Sequence, residues 1–205
     1  MYTESDPGRV CLVIPSVREV REDYLRHVPA EVDLIVVEDR AHGRIVPFRP
    51  NMKVFDHQSQ DRIMGADRDL IPRGGAACRN FGFYLAWREE YKVILTLDDD
   101  CIVPSGYLQA HGGLGRHIDL PTESCAGWYN TIAALDLPPS RYARGYPYEE
   151  RFEKRIQRRM TQGRVVCNHG LWSRHLDFNA VDRYAQQHYS GEEAMVRLRE
   201  PTLRI

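Results

Sequence analysis

The chain has almost no net charge, few lysines and no paired cysteines. Its 205 residues include 28 lysines and arginines against 29 aspartates and glutamates, and the formal net charge is −1. This balance supplies no basic field that would attract nucleic acid. The five cysteines are odd in number and form no C-x-x-C pair, which argues against a disulfide framework or a zinc knuckle. We therefore expect a reducing, cytoplasmic compartment and no nucleic-acid partner.

Membrane and dinucleotide signatures are missing as well. No apolar run approaches the length of a membrane span, and no signal peptide precedes the first predicted strand. The first strand–turn–helix unit lacks a G-x-G-x-x-G fingerprint, and the chain contains no P-loop. A Rossmann-type flavin or nicotinamide site is therefore disfavoured. We expect no membrane partner and no flavin.

Arginine, in contrast, is abundant. Only Lys53, Lys92 and Lys154 are lysines, so nearly all of the positive charge lies on guanidinium groups. The planar fork of arginine suits phosphate oxygens. A GC-rich bacterial genome would give the same bias, so composition alone leaves both interpretations open.

Strands and helices alternate through the first half of the chain. Short apolar runs predict strands, and helical spacing predicts helices. The predicted strands are 10–15, 32–39, 52–56 and the run from 93 to 101, and the predicted helices are 18–27 and 76–87. Such alternation predicts an α/β fold with a mostly parallel sheet covered on both faces. Ligands of such sheets bind beyond the carboxyl ends of the strands.

The second half is less regular. Its predicted elements are a short helix within 106–117, a strand at 126–132, a loop at 137–140, a charged surface helix over 148–162 and a brief strand at 165–167. The chain shows no repeat, no low-complexity segment and no boundary between domains. We therefore expect one domain over residues 1–205.

Three consecutive carboxylates close one of the apolar runs. Side chains on a strand alternate between faces, so we expect Asp98 and Asp100 to point one way and Asp99 the other. Two hard oxygen ligands suit Mg²⁺ or Mn²⁺, and such an ion suits a diphosphate. His169 is a candidate third ligand, and His188 is a weaker one. The alternatives are a solvated acidic turn and histidines with a structural role.

Other polar groups follow further strand ends. Asp39 ends the second predicted strand, and Pro15 and Ser16 end the first. A glycine turn at 73–75 opens the helix that contains Arg79, and small residues at a helix N-terminus favour a bound anion. Because the carboxyl ends of parallel strands meet at one edge, we expect these groups to surround one ligand. An ordinary loop with a surface arginine is the alternative.

Together these motifs resemble the reversibly glycosylated polypeptide family, the flavin-independent UDP-arabinopyranose mutases best known from plants. The matching stretches, in chain order, are Val13-Ile14-Pro15-Ser16, Asp61-Arg62-Ile63-Met64-Gly65, Ala77-Cys78-Arg79-Asn80-Phe81-Gly82, Leu97-Asp98-Asp99-Asp100-Cys101, Tyr129-Asn130-Thr131, Arg144-Gly145-Tyr146-Pro147 and His169-Gly170-Leu171-Trp172. The resemblance implies a GT-A-like nucleotide-sugar fold with a DXD-type acid run. It also implies metal-dependent interconversion of the pyranose and furanose forms of a nucleotide sugar. Short bacterial relatives look like mutases of GDP-linked sugars in antibiotic pathways, so the choice between a UDP-linked and a GDP-linked sugar stays open.

The resemblance distributes roles over this chain. A nucleotide-diphosphate sugar is the expected partner and Mn²⁺ or Mg²⁺ the expected metal, while assembly into a homo-oligomer stays open. The expected nucleotide contacts are Pro15, Ser16, Asp39, Arg62, Arg79 and Asp98. The expected metal ligands are Asp98, Asp100 and His169, the expected catalytic residues are Arg144, Asp99 and Tyr146, and the expected sugar contacts are Asn130 and Trp172.

The chain departs from the plant pattern at one position. Counting back from Arg144, Leu137 stands where plant members have the arginine that becomes glycosylated, and Arg141 is the nearest substitute. This replacement argues against autoglycosylation there. Plant members are also much longer. Two other functions stay open: a GT-A glycosyltransferase that passes the sugar to an acceptor, and a non-catalytic nucleotide-binding partner subunit, which the leucine favours.

Overall fold

The structure is a computed structural model, and it describes residues 8–134, 142–151, 156–168, 180–181 and 203–204. The chain divides into two compact units, Met1–Gly112 and Gly113–Ile205, called here the first unit and the second unit. The expectation of one domain over 1–205 stays a prediction.

Four parallel strands form the sheet of the first unit. They are β1 (Val10–Ser16), β2 (Asp33–Glu38), β3 (Met52–Phe55) and β4 (Val93–Thr96), in the spatial order β3-β2-β1-β4. β1 is central, and its Val13 pairs with Ile35 of β2 and Thr96 of β4. The predicted α/β class, with a mostly parallel GT-A-like sheet, is confirmed.

Helices and 3₁₀ turns connect these strands. The α-helices are α1 (His57–Met64), α2 (Arg79–Arg88) and α3 (Tyr107–Ala110), and the 3₁₀ helices are Glu22–Leu25, Gly65–Leu70 and Ala76–Cys78. The helices predicted over 76–87 and within 106–117 are confirmed, whereas the one over 18–27 is reduced to a 3₁₀ turn. Among the described residues, none of the helices has the length and apolar character needed to cross a membrane.

Sequence analysis missed α1, because most of its eight residues are polar and show no apolar stripe. Its beginning is nevertheless encoded locally. The Asp56 Oδ1 atom accepts hydrogen bonds from the Ser59 hydroxyl at 2.7 Å and from the Ser59 amide at 2.9 Å. These hydrogen bonds lower the pKa of Asp56. They also satisfy one of the amides that every helix N-terminus leaves without an intrahelical partner.

The central strands are buried on both faces, as a parallel sheet requires. The side chains of β1 and β2 alternate between the two faces of the sheet. On one face, Leu12, Ile14, Leu34 and Val36 pack against Leu25, Val28 and Val103. On the other face, Cys11, Val13, Ile35 and Val37 pack against Phe81 and Leu85 of α2. α2 lies unusually close to β1, since a Cβ atom added to Gly82 would come within 2.4 Å of the Val13 Cγ1 atom. Only glycine permits this approach of helix and strand.

β4 ends earlier than the sequence predicts. Its last residue is Thr96, and the Cys101 amide donates to the Asp98 carbonyl at 3.2 Å, so the three aspartates lie in a turn. The expectation that the run continues the strand is therefore wrong, although Asp98 and Asp100 are both exposed and Asp99 is buried, as the predicted alternation had them. Neighbouring carboxylates repel each other, and the turn allows them to reach different cationic partners.

The second unit contains a three-stranded sheet in the order β6-β5-β7. β5 (His117–Ser124) pairs antiparallel with β6 (Gln157–Arg164) along the length of both strands, and β7 (Leu203–Arg204) adds a short parallel pair. Two 3₁₀ helices, Thr131–Ala134 and Tyr148–Glu150, belong to the same unit.

Most element predictions for this half are wrong. The charged helix predicted over 148–162 is replaced by a 3₁₀ turn and β6, and 126–132 and 165–167 form no strand. The residues of β6 favour a helix when alone, but pairing with β5 outweighs that weak propensity. β5 itself was missed because it contains Pro121, and proline inside a run argues against a strand.

Candidate functional site

The carboxyl ends of three neighbouring strands meet at one edge of the first unit's sheet. Ser16 ends β1 and pairs with Glu38 at the end of β2, and the Asp39 amide donates to the Ser16 carbonyl at 2.8 Å. The Ser16 hydroxyl donates to Asp99, beyond the end of β4, at 2.7 Å. The predicted meeting of three strand ends is confirmed, and we call this region the carboxyl edge.

Asp99 is the buried member of the acid run, with a side chain only 7% exposed. Its Oδ2 atom accepts from the Ser16 hydroxyl and, at 3.1 Å, from the Nε of Arg18. A second guanidinium nitrogen of Arg18 lies 3.9 Å from Asp100. Sequence analysis did not single out Arg18. Its position just past a strand end was the available signal.

The other acids of the run face solvent and a second arginine. Asp98 forms an ion pair with Arg79, the first residue of α2, and the side chains of Asp98 and Asp100 are 62% and 63% exposed. The Nε of Arg79 is buried and has no hydrogen-bond partner among the described residues. The carboxyl edge thus offers oxygen ligands to a cation and guanidinium donors to an anion.

Asp39 is turned into the fold, with a side chain 1% exposed. One carboxylate oxygen lies 2.7 Å from His57 Nε2, and the other accepts from the amides of Gly74 and Gly75 at 2.7 and 3.1 Å. The amides of Gly74 and Gly75 are thus used by Asp39, and an anion at the start of this helix stays a prediction. The role of Asp39 as a nucleotide contact stays a prediction.

Glu38 is a fully buried acid that sequence analysis missed. Its carboxylate accepts from the Arg44 amide at 2.8 and 3.0 Å and from the Ile45 amide at 3.1 Å, and the Arg40 guanidinium lies 3.9 Å away. Glu38 therefore fixes the loop that follows β2. A cleft of about 490 Å³ lies beside this loop, between its residues Arg40–Phe48 and the segment Glu19–Glu22. A carboxylate ending an apolar run was the signal for Glu38.

Two predicted nucleotide contacts lie in the first unit without a described contact to the acid run. Pro15 pairs with Val37 inside the sheet, and Arg62 is an exposed residue of α1. Within the described part of the chain, no three His, Cys, Asp or Glu side chains form a group able to hold a metal ion. His169, Trp172 and the weaker candidate His188 lie outside the described residues.

The remaining predicted residues belong to the second unit. Arg144 is exposed, whereas Tyr146 is buried with its hydroxyl 3.0 Å from the carbonyls of Trp128 and Glu150. Asn130 accepts from the Ala143 amide at 3.3 Å. Tyr146 and Asn130 thus stabilise the arginine-containing turn, and their roles toward a sugar stay predictions.

The second unit also holds a buried acid that the sequence did not indicate. Glu123 of β5 has a side chain 7% exposed, and two nitrogens of Arg158 lie 2.7 Å from its Oε1 atom. The Tyr129 hydroxyl donates to its other oxygen. This pairing joins β5 to β6 by side chains as well as by backbone. The acid lies in an alternating, mostly polar segment, which gave no sign of burial.

Thiols at the carboxyl edge are poor nucleophiles. Burial raises the pKa of Cys101, which follows the acid run, and raises the pKa of Cys78 to about 11. Because the thiolate is the reactive form, both groups stay protonated and unreactive near neutral pH.

Comparison with known proteins places the chain in a family. A family model described as Reversibly glycosylated polypeptide matches residues 6–195. The chain belongs to the reversibly glycosylated polypeptide family. This confirms the resemblance drawn from the motifs, while a bacterial origin stays a prediction.

Several curated relatives are considerably longer than this family member. UDP-arabinopyranose mutase 3 of Arabidopsis thaliana is 28% identical over 179 residues, which cover 82% of this chain and 45% of the relative. Probable UDP-arabinopyranose mutase 1 of Solanum tuberosum is 29% identical over 187 residues, covering 86% and 47%. UDP-arabinopyranose mutase 1 of Arabidopsis thaliana is 30% identical over 179 residues, covering 82% and 45%. The chain spans about half the length of the curated relatives it matches, and no solved structure matches it significantly.

Proposed function

We propose that the chain interconverts the pyranose and furanose forms of a nucleotide-diphosphate sugar. The observation on which this rests is the meeting of three aspartates with Arg18 and Arg79 at the carboxyl edge of a parallel sheet. Sheets of this kind bind ligands beyond that edge. The relatives named UDP-arabinopyranose mutase support a nucleotide sugar as substrate.

Phosphate recognition falls to the arginines and metal binding to the exposed acids. We assign Arg79 and Arg62 to the diphosphate oxygens, and Pro15, Ser16 and Asp39 to the nucleoside side. Asp98 and Asp100 are solvent-exposed oxygen donors. Mg²⁺ usually takes one or two carboxylates and completes its set with substrate phosphates and water. In number and chemistry these two acids fit Mg²⁺ or Mn²⁺, with His169 as the proposed third ligand.

The reaction needs a leaving diphosphate and a closed sugar pocket. The bond between the anomeric carbon and the diphosphate oxygen breaks, and its electron pair stays on that oxygen. A different sugar hydroxyl then bonds to the anomeric carbon, its proton passes to the former ring oxygen, and the bond from that oxygen to the anomeric carbon breaks. The same diphosphate oxygen re-forms its bond to the anomeric carbon, so nothing is oxidised and no flavin is required. The bound cation would spread the charge of the leaving diphosphate. Arg79 donates to the same phosphate oxygens, which lowers the barrier to cleavage.

The roles toward the sugar are proposed from the family resemblance. Arg144 would orient the sugar hydroxyls, while Tyr146, Asn130 and Trp172 would contact the sugar. Asp99 is proposed as a catalytic residue.

The proposal is tested by incubating the protein with UDP-arabinopyranose, and separately with a GDP-linked sugar, without any acceptor. A new furanose nucleotide, detected by chromatography and by its anomeric NMR signals, is the expected product. It should form with Mn²⁺ and disappear with EDTA.

Slow release of free sugar alone would instead indicate a glycosyltransferase. Unchanged substrate with tight nucleotide binding would indicate a non-catalytic partner subunit. If the protein converts the GDP-linked sugar and not UDP-arabinopyranose, the hypothesis of a GDP-sugar mutase in a bacterial antibiotic pathway is favoured.

A further inference from the structure

We propose that Arg18 is a diphosphate-binding residue that exchanges partners: the ion pair with Asp99 gives way to contacts with the diphosphate when a nucleotide binds. This inference rests on the proposed function, because it assumes a diphosphate at the carboxyl edge. It adds a residue that neither the motifs nor the strand-end pattern identified.

The local backbone holds Arg18 at the acid run. The Arg18 amide donates to the Ser16 hydroxyl oxygen at 3.1 Å, so the arginine lies directly beyond the end of the central strand. From there its Nε donates to Asp99 at 3.1 Å, and the terminal nitrogen nearest Asp100 is 3.9 Å away, beyond hydrogen-bond distance. Arginine has five N–H donors. Among the described residues, the side-chain contacts of Arg18 satisfy one of them.

Only the Asp99 end of this ion pair is buried. The arginine side chain is 60% exposed and regains water when it leaves, whereas the Asp99 side chain is 7% exposed and needs another partner. The Ser16 hydroxyl has the Arg18 carbonyl at 2.6 Å and Asp99 at 2.7 Å as alternative acceptors, so its one proton is available to Asp99 after the exchange. The buried carboxylate therefore keeps a partner while the arginine fork becomes free for phosphate oxygens.

Charge compensation favours the exchange. Arg18 and Arg79 neutralise most of the charge of the acid run, and a diphosphate without a cation would meet the remaining negative charge. A divalent cation on Asp98 and Asp100 supplies positive charge to the acids. Arg18 can then leave Asp99 without exposing an uncompensated cluster, and it meets negative charge again on the phosphates. Cation and nucleotide binding are therefore expected to reinforce each other through Arg18.

Arg18 differs from the other arginines near this edge. Arg79 is 25% exposed and has a buried Nε, so its position changes less readily. Arg21 is as exposed as Arg18, but its guanidinium pairs with Asp23 at 2.7 Å and stacks on Tyr24, away from the acid run. Arg21 is therefore a matched control that carries the same charge on the same segment.

The test compares wild-type protein with Arg18→Ala, Arg18→Lys and Arg21→Ala. Binding of UDP and of GDP is measured by calorimetry with and without Mn²⁺, after thermal unfolding has established that each variant is folded. We expect Arg18→Ala to lower the affinity for the nucleotide that the wild type binds by about 10-fold or more, because a charge-assisted hydrogen bond is lost. Arg18→Lys should recover part of the loss, and Arg21→Ala should bind as the wild type does.

A double-mutant cycle with Asp99→Asn tests the exchange itself. Without Mn²⁺, Asp99→Asn should tighten nucleotide binding when Arg18 is present and should have a smaller effect in the Arg18→Ala background. Equal effects in both backgrounds would overturn the exchange, and wild-type affinity in Arg18→Ala would overturn the binding role. If the wild-type protein binds neither nucleotide, the proposed function itself fails, and this inference fails with it.

Discussion

At the scale of single residues, the buried acids of the carboxyl edge take their partners from distant parts of the chain. Asp39 accepts from amides 35 and 36 positions away, and Asp99 accepts from a hydroxyl 83 positions away. Each contact joins two chain segments that meet only in the folded protein. These acids therefore stabilise the edge before they contribute to any chemistry.

Replacement of Asp39 tests this structural role. In Asp39→Ala the amides of Gly74 and Gly75 and the ring of His57 lose their acceptor. Because Gly74 and Gly75 are exposed, water can replace part of what their amides lose. At a net value of about 0.5–1.5 kcal/mol for each hydrogen bond, we expect a loss of about 2 kcal/mol in the free energy of unfolding. Urea denaturation followed by circular dichroism measures it. Asp69→Ala, at a side chain 92% exposed, is the control and should change stability by less than about 0.5 kcal/mol. Equal stabilities of the two variants would contradict this assignment.

The residues of the edge were predictable from the sequence, but their partners were not. A polar side chain directly after an apolar run is visible in the sequence, which is why Ser16, Asp39 and the acid run were found. Which partner a charged side chain finds, and whether it points to solvent or into the fold, depends on contacts across the sheet. Glu38 and Arg18 were missed for that reason, and Asp99 proved to be the buried member of its run.

At the scale of elements, the packing of α2 on the sheet depends on one position without a side chain. A Cβ atom at residue 82 would lie 2.4 Å from Val13 Cγ1 and 3.1 Å from Val37 Cγ2. Real Cβ atoms do not approach other atoms that closely, so α2 would have to shift away from the central strand. Arg79 begins this helix, so a shift would also move a residue of the carboxyl edge.

Gly82→Ala is therefore expected to destabilise the protein. Alanine favours a helix over glycine by about 1 kcal/mol, whereas overpacking costs about 1–3 kcal/mol. Because both contacts involve buried valines of central strands, we expect a net loss of about 1–2 kcal/mol. Gly75→Ala is the matched control, since it has no atom within 4 Å of its added Cβ and an extended φ of −170°. Urea denaturation of both variants measures the difference, and a more stable Gly82→Ala would refute the close packing.

Strands with a clear pattern of apolar residues were predicted from the sequence, and strands without one were not. The β1 and β2 strands are apolar on both faces, and their existence and parallel pairing followed from that pattern. β6 has hardly any buried side chain, so its identity as a strand comes from pairing with β5 and not from its own residues. Charged residues at helical spacing misled the prediction there.

At the scale of the whole molecule, the two units differ in how much of their structure could be predicted from the sequence. The first unit has a core on both sides of its sheet, and its fold class and the meeting of its strand ends at one edge were predicted. In the second unit, element types were mostly mistaken, although its motifs contributed to recognising the family. Motif identity depends on residue types at fixed spacing and survives an incorrect secondary structure, whereas the sheet depends on non-local pairing.

Thermal unfolding with ligands tests how the carboxyl edge is coupled to the stability of the molecule. A ligand that binds the folded state stabilises it by about 2.7 kcal/mol at 100 times its Kd, so UDP or GDP with Mn²⁺ should raise the unfolding midpoint. In Asp98→Ala with Asp100→Ala, the part of this rise that depends on Mn²⁺ should vanish, because the exposed carboxylates proposed to hold the ion are gone. Asp67→Ala with Asp69→Ala removes the same charge from the exposed turn Gly65–Leu70 and should keep the full rise. Differential scanning fluorimetry with and without EDTA compares the three proteins. An unchanged Mn²⁺-dependent shift in the Asp98 and Asp100 variant would show that the ion is held elsewhere.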